Sequence, residues 1–327
     1  MTEGLAGALW GWPPPVLDPA GPYADSVTVL AWALFAMGVV VTGIVVAALW
    51  VALRGPERWR RVLGGEKAVW IGGVAFPGVV LTVLLIWGLT LTASLTKPIT
   101  GDEMRIRVTG EMWWFRVEYL DAAGNVVMRD ANEVRIPVGV PVVFELRSAD
   151  VLHSFWIPHL SGKLDMVPGR TNLLRAEATR TGQFGGVCAE YCGGPHALMG
   201  FVAIAKEPEE WQRWFDARVA ADSVQPLAAV STTNPQLAQG RELFMENGCA
   251  ACHRVAGTQA NGLAGPDLTF MGDRATVGAG ILPNHRGTLT GWIGDSQGIK
   301  PGNRMPSYDR LSAQQLDAIA AWLGQLK

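Results

Sequence analysis

Residues 188–199 read "CAEYCGGPHALM", a stretch short enough for one loop that carries two cysteines, a histidine and a methionine. The chain has four cysteines, and the other two lie in "CAACH" at 249–253. Each thiol therefore belongs to a motif that can bind a metal or a cofactor, and none remains for a structural disulfide framework. The sequence predicts two separate centres of metal or redox chemistry.

The first motif combines thiolate, imidazole and thioether ligands. It contains Cys188, Cys192, His196 and Met199, and "VLHSFWIP" supplies His153 from the end of another β segment. Such a mixed set on a β scaffold indicates copper, and a weak axial methionine is typical of a blue-copper site. A blue-copper site uses one cysteine, whereas two coppers shared by both sulfurs use every ligand. The alternative is a tetrahedral zinc site, which leaves Met199 idle.

The second motif has the spacing of a c-type heme attachment site. Cys249 and Cys252 are three apart and can both form thioethers to a heme, while His253 directly after them reaches the iron. The alternative is a disulfide or half of a zinc site. A zinc site needs a second ligand pair, and the only other histidine after this motif is His285. The heme interpretation is favoured.

The second axial ligand of the heme iron is expected from further along the chain. Met305 lies in "KPGNRMPSYD", whose glycine and prolines allow the backbone to cross a heme face, and it is the predicted ligand. Thioether ligation raises the potential of a heme, which suits electron transfer. Met271 in "TFMGDR" is the second choice, ahead of His285 and of Met245, which lies on a predicted helix.

Two long apolar runs predict membrane-spanning helices. Residues 26–53 and 68–95 contain no charged residue, and each run exceeds the roughly 20 residues that cross a bilayer. The alternative, two buried core helices, fits poorly because such helices rarely stay apolar on every face. Pro77 is expected to kink the second helix. The basic loop at 54–67 is expected in the cytoplasm, with both ends of the hairpin outside.

The remaining sequence predicts a β-rich region followed by a helical one. Short alternating or β-branched segments between about 103 and 205 indicate a sandwich or barrel, and a charged helix follows them. The last region begins with Asn234 as a helix N-cap and ends with a helix capped by Ser312 and Gln315. The predicted boundaries are 1–25 for an N-terminal extracytoplasmic segment, 26–95 for the hairpin, 96–222 for the β domain with its trailing helix, 223–236 for a linker and 234–327 for the heme domain.

Two further features limit the function classes. The net charge of −2 gives no indication of a nucleic-acid partner. The first 25 residues lack the basic start and short apolar core of a standard signal peptide, which leaves two routes open. Either the first helix directs export or a leader has been removed.

The stretches "VLHS", "DMVPGR", "CAEYCGGPHALM" and "GEMWWFRVEY" closely resemble subunit II of cytochrome c oxidase, the family that carries the binuclear copper A centre. With "CAACH", the resemblance covers nearly the whole chain and extends to the bacterial subgroup with a fused cytochrome c domain. It implies a multi-domain membrane protein with a two-helix transmembrane hairpin, an all-β cupredoxin-like sandwich and an all-α class I cytochrome c domain.

The same resemblance assigns roles to individual residues. Trp113 matches the aromatic residue that receives the electron in this family. The stretch "GEMWWF" departs from the family pattern, so Trp114 is the alternative electron acceptor. The other interpretation of this aromatic cluster is that it belongs to the core of a strand. Asp150, Asp165 and Arg170 match positions near subunit I, where solvated turn residues are the alternative. His159 and His285 match no ligand and are expected to be satisfied surface or turn histidines. The implied copper ligands are the side chains of His153, Cys188, Cys192, His196 and Met199 and the backbone carbonyl of Glu190, whose carboxylate faces a magnesium ion.

The implied function is that of subunit II of a proton-pumping aa-type oxidase in a bacterial plasma membrane. Electrons would pass from an external cytochrome or a quinol:cytochrome c reductase to heme c, to copper A and to heme a of subunit I, which also holds copper B. Subunit III and membrane lipid are the other expected partners, and the copper and heme domains would be periplasmic or extracellular. The alternatives are a nitric oxide reductase with a copper A subunit and a stand-alone membrane-anchored carrier. A quinol oxidase subunit shares the fold but lacks the copper ligands.

Overall fold

The computed structural model describes residues 14–96, 103–223 and 234–327. The first 13 residues of the predicted N-terminal segment and residues 224–233 of the predicted linker lie outside the described part. The described residues fall into two compact units, and each is considered by itself. Residues 25–96 form one unit, and residues 14–24, 103–223 and 234–327 form the other.

The smaller unit contains the predicted helical hairpin. Its two long helices span 33 and 30 residues, and the most apolar stretch of each has none of its residues buried. The alternative of two buried core helices is therefore wrong. Pro77 lies just after one π-helical turn, Ile71–Ala75, so the helix departs from α geometry where proline cannot donate to the preceding turn. The helices are α1 (Pro22–Arg54), α2 (Glu57–Leu63), α3 (Glu66–Trp70) and α4 (Phe76–Leu95).

The β domain is a sandwich of two five-stranded sheets within the described residues. The sheet orders are β3-β2-β1-β5-β8 and β4-β10-β9-β6-β7. Buried residues alternate along β1, as expected for a strand with one face toward the core. The strands are β1 (Met104–Glu111), β2 (Trp114–Leu120), β3 (Val126–Ala131), β4 (Glu133–Pro137), β5 (Val142–Ser148), β6 (His153–Trp156), β7 (Leu164–Met166), β8 (Asn172–Ala176), β9 (Gly182–Cys188) and β10 (Gly200–Lys206).

An aromatic cluster fills the centre of the sandwich. Phe155 stacks on Phe201 with their ring centroids 4.5 Å apart, and Phe115 and Phe144 meet the same pair at 5.0 Å. These rings come from both sheets and join them across the core. The predicted trailing helix is α5 (Pro208–Ser223), which packs on β3 and β4.

Residues just before α1 belong to the sandwich rather than to a separate segment. The backbone N–H of Ala20 donates to the carbonyl of His159 at 2.7 Å, and the N–H of Thr179 donates to the carbonyl of Ala20 at 2.8 Å. These hydrogen bonds attach residues of the predicted N-terminal segment to the sandwich. Their place in the sandwich could not be read from sequence because the pairing spans about 140 to 160 residues.

The last region combines four α-helices with irregular segments, short 3₁₀ turns and one short β ladder, β11 (Thr276–Val277) with β12 (Leu282–Pro283). Asn234 caps its first helix, and Ser312 and Gln315 form a reciprocal capping box on its last one, so these predicted caps are confirmed. The region has its own hydrophobic core, separate from the sandwich core. Its helices are α6 (Pro235–Glu246), α7 (Arg286–Gly294), α8 (Ser296–Ile299) and α9 (Ala313–Leu323).

Candidate metal and heme centres

Strand pairing brings the predicted copper ligands to one end of the sandwich. Cys188 ends β9, and its N–H donates to the carbonyl of Met199, which lies just before β10. The ligand loop is therefore the connection of an antiparallel hairpin. His153 begins β6, which pairs with β9 so that Phe155 lies opposite Cys188. This pairing closes the gap of 35 residues between the histidine and the first cysteine.

The cluster contains six potential donor groups, the two cysteine sulfurs and four groups around them. The Sγ atoms of Cys188 and Cys192 are 3.7 Å apart, beyond disulfide distance. His153 Nδ1 lies 3.8 Å from the first sulfur and His196 Nδ1 lies 3.4 Å from the second. Two ligands on one tetrahedral metal, with metal–sulfur ~2.3 Å and metal–nitrogen ~2.0 Å, lie about 3.5 Å apart. The spacing therefore fits ligands that share a metal.

The thioether and carbonyl complete the same cluster. Met199 Sδ is 3.8 Å from Cys192 Sγ, and the Glu190 carbonyl oxygen is 3.3 Å from Cys188 Sγ. The donor set of two sulfurs, two ring nitrogens, a thioether and a carbonyl is larger than a single tetrahedral ion needs. It fits two metal ions bridged by the cysteines.

Asp150 orients the most buried ligand. Its carboxylate lies 2.9 Å from His153 Nε2, which must carry the proton because a carboxylate only accepts. The lone pair of His153 is thereby left on Nδ1, the atom that faces Cys188. Burial raises the pKa of Asp150, but hydrogen bonds from His153 and from the Met112 and Val151 N–H groups outweigh it and hold the pKa below its usual value. Asp150, for which a solvated turn position is the alternative expectation, therefore holds the ligand His153 in place.

The sulfur pair favours a thiolate. A hydrogen bond with Cys192 lowers the pKa of Cys188 to about 4 against the effect of burial, and His153 acts in the same direction. The resulting negative charge beside it raises the pKa of Cys192. A thiolate is the form that binds metal, so one ligand is already available at neutral pH.

The Glu190 carboxylate points away from its carbonyl. It is 39% exposed and lies 3.9 Å from Lys163 Nζ. Elsewhere, Asp165 lies in β7 and its carbonyl accepts from the Asn172 side chain, while Arg170 lies in a turn. None of these contacts bears on magnesium, which stays a prediction.

The heme motif lies on the wall of a cavity. Cys249 begins a short 3₁₀ turn after α6, and the ring of His253 is held by a 2.8 Å hydrogen bond from Nδ1 to the Pro266 carbonyl. Since a carbonyl only accepts, Nδ1 carries the proton and Nε2 keeps its lone pair. Burial lowers the pKa of His253 and keeps the ring neutral. At Gly265 a Cβ would lie 2.7 Å from this ring, so glycine permits the close approach.

The cavity has a volume of about 370 Å³ and is lined by Cys249, Cys252 and His253 together with mostly apolar side chains. Its size class and lining fit a cofactor. Met305 and Met271 both line it, whereas Met245 and His285 do not. His285 instead caps α7 by accepting from the Thr288 N–H, as expected of a turn histidine. The donor set and the hollow together fit a covalently attached heme.

The two lining methionines differ in their contacts. Its backbone is fixed by hydrogen bonds from its N–H to Asn303 and to its carbonyl from Ser296 and Gln297. The sulfur of Met271 lies 3.8 Å from the Arg274 guanidinium.

Trp113 joins the two centres. Its indole N–H donates to the carbonyl of Cys192 at 2.9 Å, and the residue is among those that line the heme cavity. A Cβ at Gly193, whose φ is +106°, would lie 3.2 Å from the same ring. Trp113 occupies the turn between β1 and β2 and is partly buried against the sandwich core. Trp114 begins β2, is buried and also lines the cavity.

Sequence reasoning missed Lys300. This residue of the heme domain is 2% exposed, and its Nζ donates to the Trp113 carbonyl at 2.7 Å and to the Gly278 carbonyl at 3.1 Å. Burial lowers the pKa of Lys300 to about 7, against the opposing effect of Cys192. Its only sequence signal was its place in the same "KPGNRMP" segment as Met305.

A network of buried ion pairs, also missed, fixes the heme domain on the sandwich. Arg274 of the heme domain pairs with Asp130 of β3 at 2.6 Å, and both side chains are buried. Asp273 beside it pairs with Arg135 at 2.6 Å and with Arg218 of α5. The paired residues lie 55 to 144 positions apart, and charged residues at such separations carry no periodic signal.

His159 also differs from its prediction. It is 6% exposed and so is not a surface histidine. Its Nε2 lies 3.6 Å from an Asp18 carboxylate oxygen. Burial lowers the pKa of its ring, and neither ring nitrogen belongs to the ligand cluster.

Known protein families match both the sandwich and the heme domain. The profile described as cytochrome C oxidase subunit II, periplasmic domain, matches residues 113–206, and the cytochrome c profile matches residues 237–327. The chain is 36% identical to cytochrome c oxidase subunit 2 of Alkalihalophilus pseudofirmus, over 100% of this chain and 95% of the relative. It is 31% identical to that of Bacillus subtilis, over 95% and 91%. The periplasmic domain of the Bradyrhizobium japonicum subunit II structure is 28% identical, with a TM-score of 0.32, and covers 35% of this chain and 92% of that one.

The profile matches imply a copper A centre in the sandwich and a heme in the last domain. The apolar helices and the relatives indicate a membrane-anchored subunit that works with partner subunits in a heme-copper oxidase complex. A relative more than 30% identical over the full chain establishes the family. The chain belongs to the cytochrome c oxidase subunit II family, in a form that carries its own cytochrome c domain.

Proposed function

We propose that this chain takes electrons from an external donor at its heme domain and delivers them through its copper domain to subunit I for the reduction of O2. The observation that carries this proposal is the position of Trp113. This one residue donates from its indole N–H to the backbone of a copper-ligand residue and is also among the residues that line the heme cavity. Electrons can therefore cross between the two centres without diffusion of either domain.

The copper-binding role rests on His153, Cys188, Cys192, His196 and Met199, with Glu190 contributing its carbonyl. When bound, the copper pair and the heme each supply a site that gains and loses one electron. The chain's part is to keep the ligands still. Asp150 holds one imidazole, and the β9–β10 hairpin fixes the loop, so the ligands need not move when the charge on the metals changes.

The heme-binding role rests on Cys249 and Cys252 as thioether attachment points and on His253 and Met305 as axial ligands. The Pro266 carbonyl orients the His253 ring, and the Asn303 side chain positions the Met305 backbone. Six-coordinate ligation would close the iron to other ligands and suit it to electron transfer.

The remaining chemistry belongs to partner subunits. The first histidine in the sequence is His153, so the membrane helices offer no imidazole for heme a or copper B. We assign O2 reduction and proton pumping to subunit I, with subunit III and an external cytochrome or reductase as further partners. The Glu190 carboxylate would reach magnesium at the border with subunit I.

The orientation of the hairpin in the membrane follows from the position of its basic residues. Arg54, Arg58, Arg60, Arg61 and Lys67 make the loop between the two spans basic, which favours the cytoplasmic side. A hairpin of two spans has both of its ends on the side of the membrane opposite to this loop. The copper and heme domains would therefore face the periplasm or the cell exterior.

The test is to purify the detergent-solubilised complex and to record metal content, extracted and covalent hemes, and EPR spectra. We expect two coppers per copy of this chain in a mixed-valent form, covalent heme c, and heme a in a partner. Heme b in place of heme a would favour a nitric oxide reductase. Absence of any partner heme would favour a free-standing carrier, and zinc in place of copper would overturn the electron-transfer role.

A further inference from the structure

Lys300 is a buried amine whose charged form is disfavoured by burial and favoured by the nearby Cys192. Lysine is almost never fully buried unless it is paired. Among the described residues its ammonium forms no ion pair, and its recorded acceptors are the backbone carbonyls of Trp113 and Gly278. Burying such a charge is costly, so a methionine of similar length would suit stability better. Because Lys300 lies where the heme domain meets the copper domain, we expect it to have a role other than stability.

Its two acceptors lie on different domains. Trp113 belongs to the copper domain, while Gly278 and Lys300 itself belong to the heme domain. Trp113 is thereby held at two points. Its carbonyl accepts from Lys300, and its indole N–H donates to the carbonyl of Cys192 in the ligand loop.

Lys300 is also tied to the predicted axial ligand. The Lys300 carbonyl accepts from the Asn303 side-chain amide at 2.8 Å, and the oxygen of the same amide accepts from the Met305 N–H at 2.7 Å. One asparagine thus links the lysine backbone to the methionine backbone. A displacement of the Met305 loop would pull on Lys300, and a displacement of Lys300 would pull on Trp113.

We propose that Lys300 is a positioning residue that fastens the Met305 loop of the heme domain to Trp113 of the copper domain. It keeps Trp113 in contact with the heme cavity and with the Cys192 carbonyl at the same time. Its hydrogen bond to the Trp113 carbonyl joins the heme domain directly to this turn. The proposal rests on the function proposed above, since it concerns the rate at which an electron crosses between the two centres.

The experiment is flash reduction of the heme in the purified complex, with arrival of the electron at the copper pair followed by its near-infrared absorption. Lys300→Met removes the donor and keeps a similar length. We expect the heme-to-copper rate to fall about tenfold or more, because misplacement of a relay by about 1 Å can cost up to roughly 100-fold in rate. Lys206→Met, at an exposed pair with Glu210 far from both centres, is the matched control and should keep the normal rate.

A double-mutant cycle separates positioning from general loosening. If Lys300 acts through Trp113, the double variant Lys300→Met with Trp113→Phe should transfer electrons no more slowly than Trp113→Phe alone. Additive losses would overturn the proposal, as would an unchanged rate in Lys300→Met. Heme content, copper EPR signal and both potentials are measured in every variant. If Lys300→Met fails to assemble, Lys300→Leu, which also removes the donor, replaces it in the cycle with the same criteria.

Failure of this inference differs from failure of the proposed function. If the proposed function is wrong, the unmodified chain itself shows no electron transfer from heme to copper. If only the role of Lys300 is wrong, the unmodified chain transfers electrons and the Lys300→Met chain does so at the same rate.

Discussion

The two centres of this chain are built in opposite ways. The copper cluster is assembled by strand pairing, with its ligands in mutual contact and Asp150 behind His153. The heme site is a hollow of about 370 Å³ lined mainly by the heme domain and on one side by the β1–β2 turn of the sandwich, and the attachment cysteines lie on its wall. The copper site is organised by the fold, whereas the heme domain needs its cofactor to complete its core.

The difference has a physical origin. A sandwich of two five-stranded sheets buries its aromatic core whether or not a metal is present. The heme domain, in contrast, spends much of its length in irregular backbone around the cavity. Loss of the cofactor would remove packing partners from several segments at once.

The largest effect is expected from preventing heme attachment with Cys249→Ser and Cys252→Ser together. An empty hole of about 370 Å³, at ~24 cal/mol per Å³, would cost about 9 kcal/mol, comparable to the whole stability of a domain. We expect backbone amides of α6 and α9 to lose protection from hydrogen exchange while those of β5 and β9 keep it. Retained protection in the helices would show that the domain closes its core without heme.

The next largest effect is expected from breaking a buried ion pair that joins the heme domain to the sandwich. Asp130→Asn leaves the Arg274 guanidinium buried without its partner, which typically costs about 3–5 kcal/mol. The matched control is Asp317→Asn, which breaks an exposed pair with Arg286 and should cost less than about 1 kcal/mol. Urea unfolding of the two variants is compared with the parent. Equal losses would mean that the buried network does not hold the domains.

A smaller effect is expected from removing the carboxylate that holds the copper ligand His153. Asp150→Asn removes the carboxylate that receives the His153 N–H, and such supports typically contribute about 10–100-fold in metal affinity. Competition with a copper chelator measures the change, and the heme absorption spectrum should stay the same. Asp165 lies opposite Ser154 on the neighbouring strand β7, and its hydrogen bond with Asn172 uses the backbone carbonyl, so Asp165→Asn is the control that should leave copper affinity unchanged. A change in the heme spectrum with unchanged copper affinity would contradict this role of Asp150.

The smallest effect is expected from removing copper itself. Because the ligand loop is held by the β9–β10 hairpin, the sandwich of a Cys188→Ser chain should stay folded although the mixed-valent copper signal is lost. Hydrogen exchange in β9 and β10 measures this. If β9 and β10 lost as much protection as the helices of the heme-free chain, the two domains would not differ in how far their folds depend on the cofactor.

Much of this arrangement could be predicted from short motifs. The ligand loop, "CAACH" and the two apolar runs are local signals, because ligands and membrane spans lie close together in sequence. The junction could not be predicted in the same way. Lys300 reaches Trp113 across 187 positions, and Arg274 reaches Asp130 across 144. A single lysine or arginine carries no sign of its distant partner, and the role of Asp150 depends on which ring nitrogen of His153 it meets.

The most direct test is a pulsed EPR measurement of the dipolar coupling between the oxidised copper pair and the ferric heme in the full chain. We expect a copper signal from one unpaired electron shared by two nuclei, and one narrow distance distribution to the heme. That result would place both centres in a single docked unit, joined across Trp113 and Lys300. A broad distribution, or a copper spin localised on one nucleus, would contradict it.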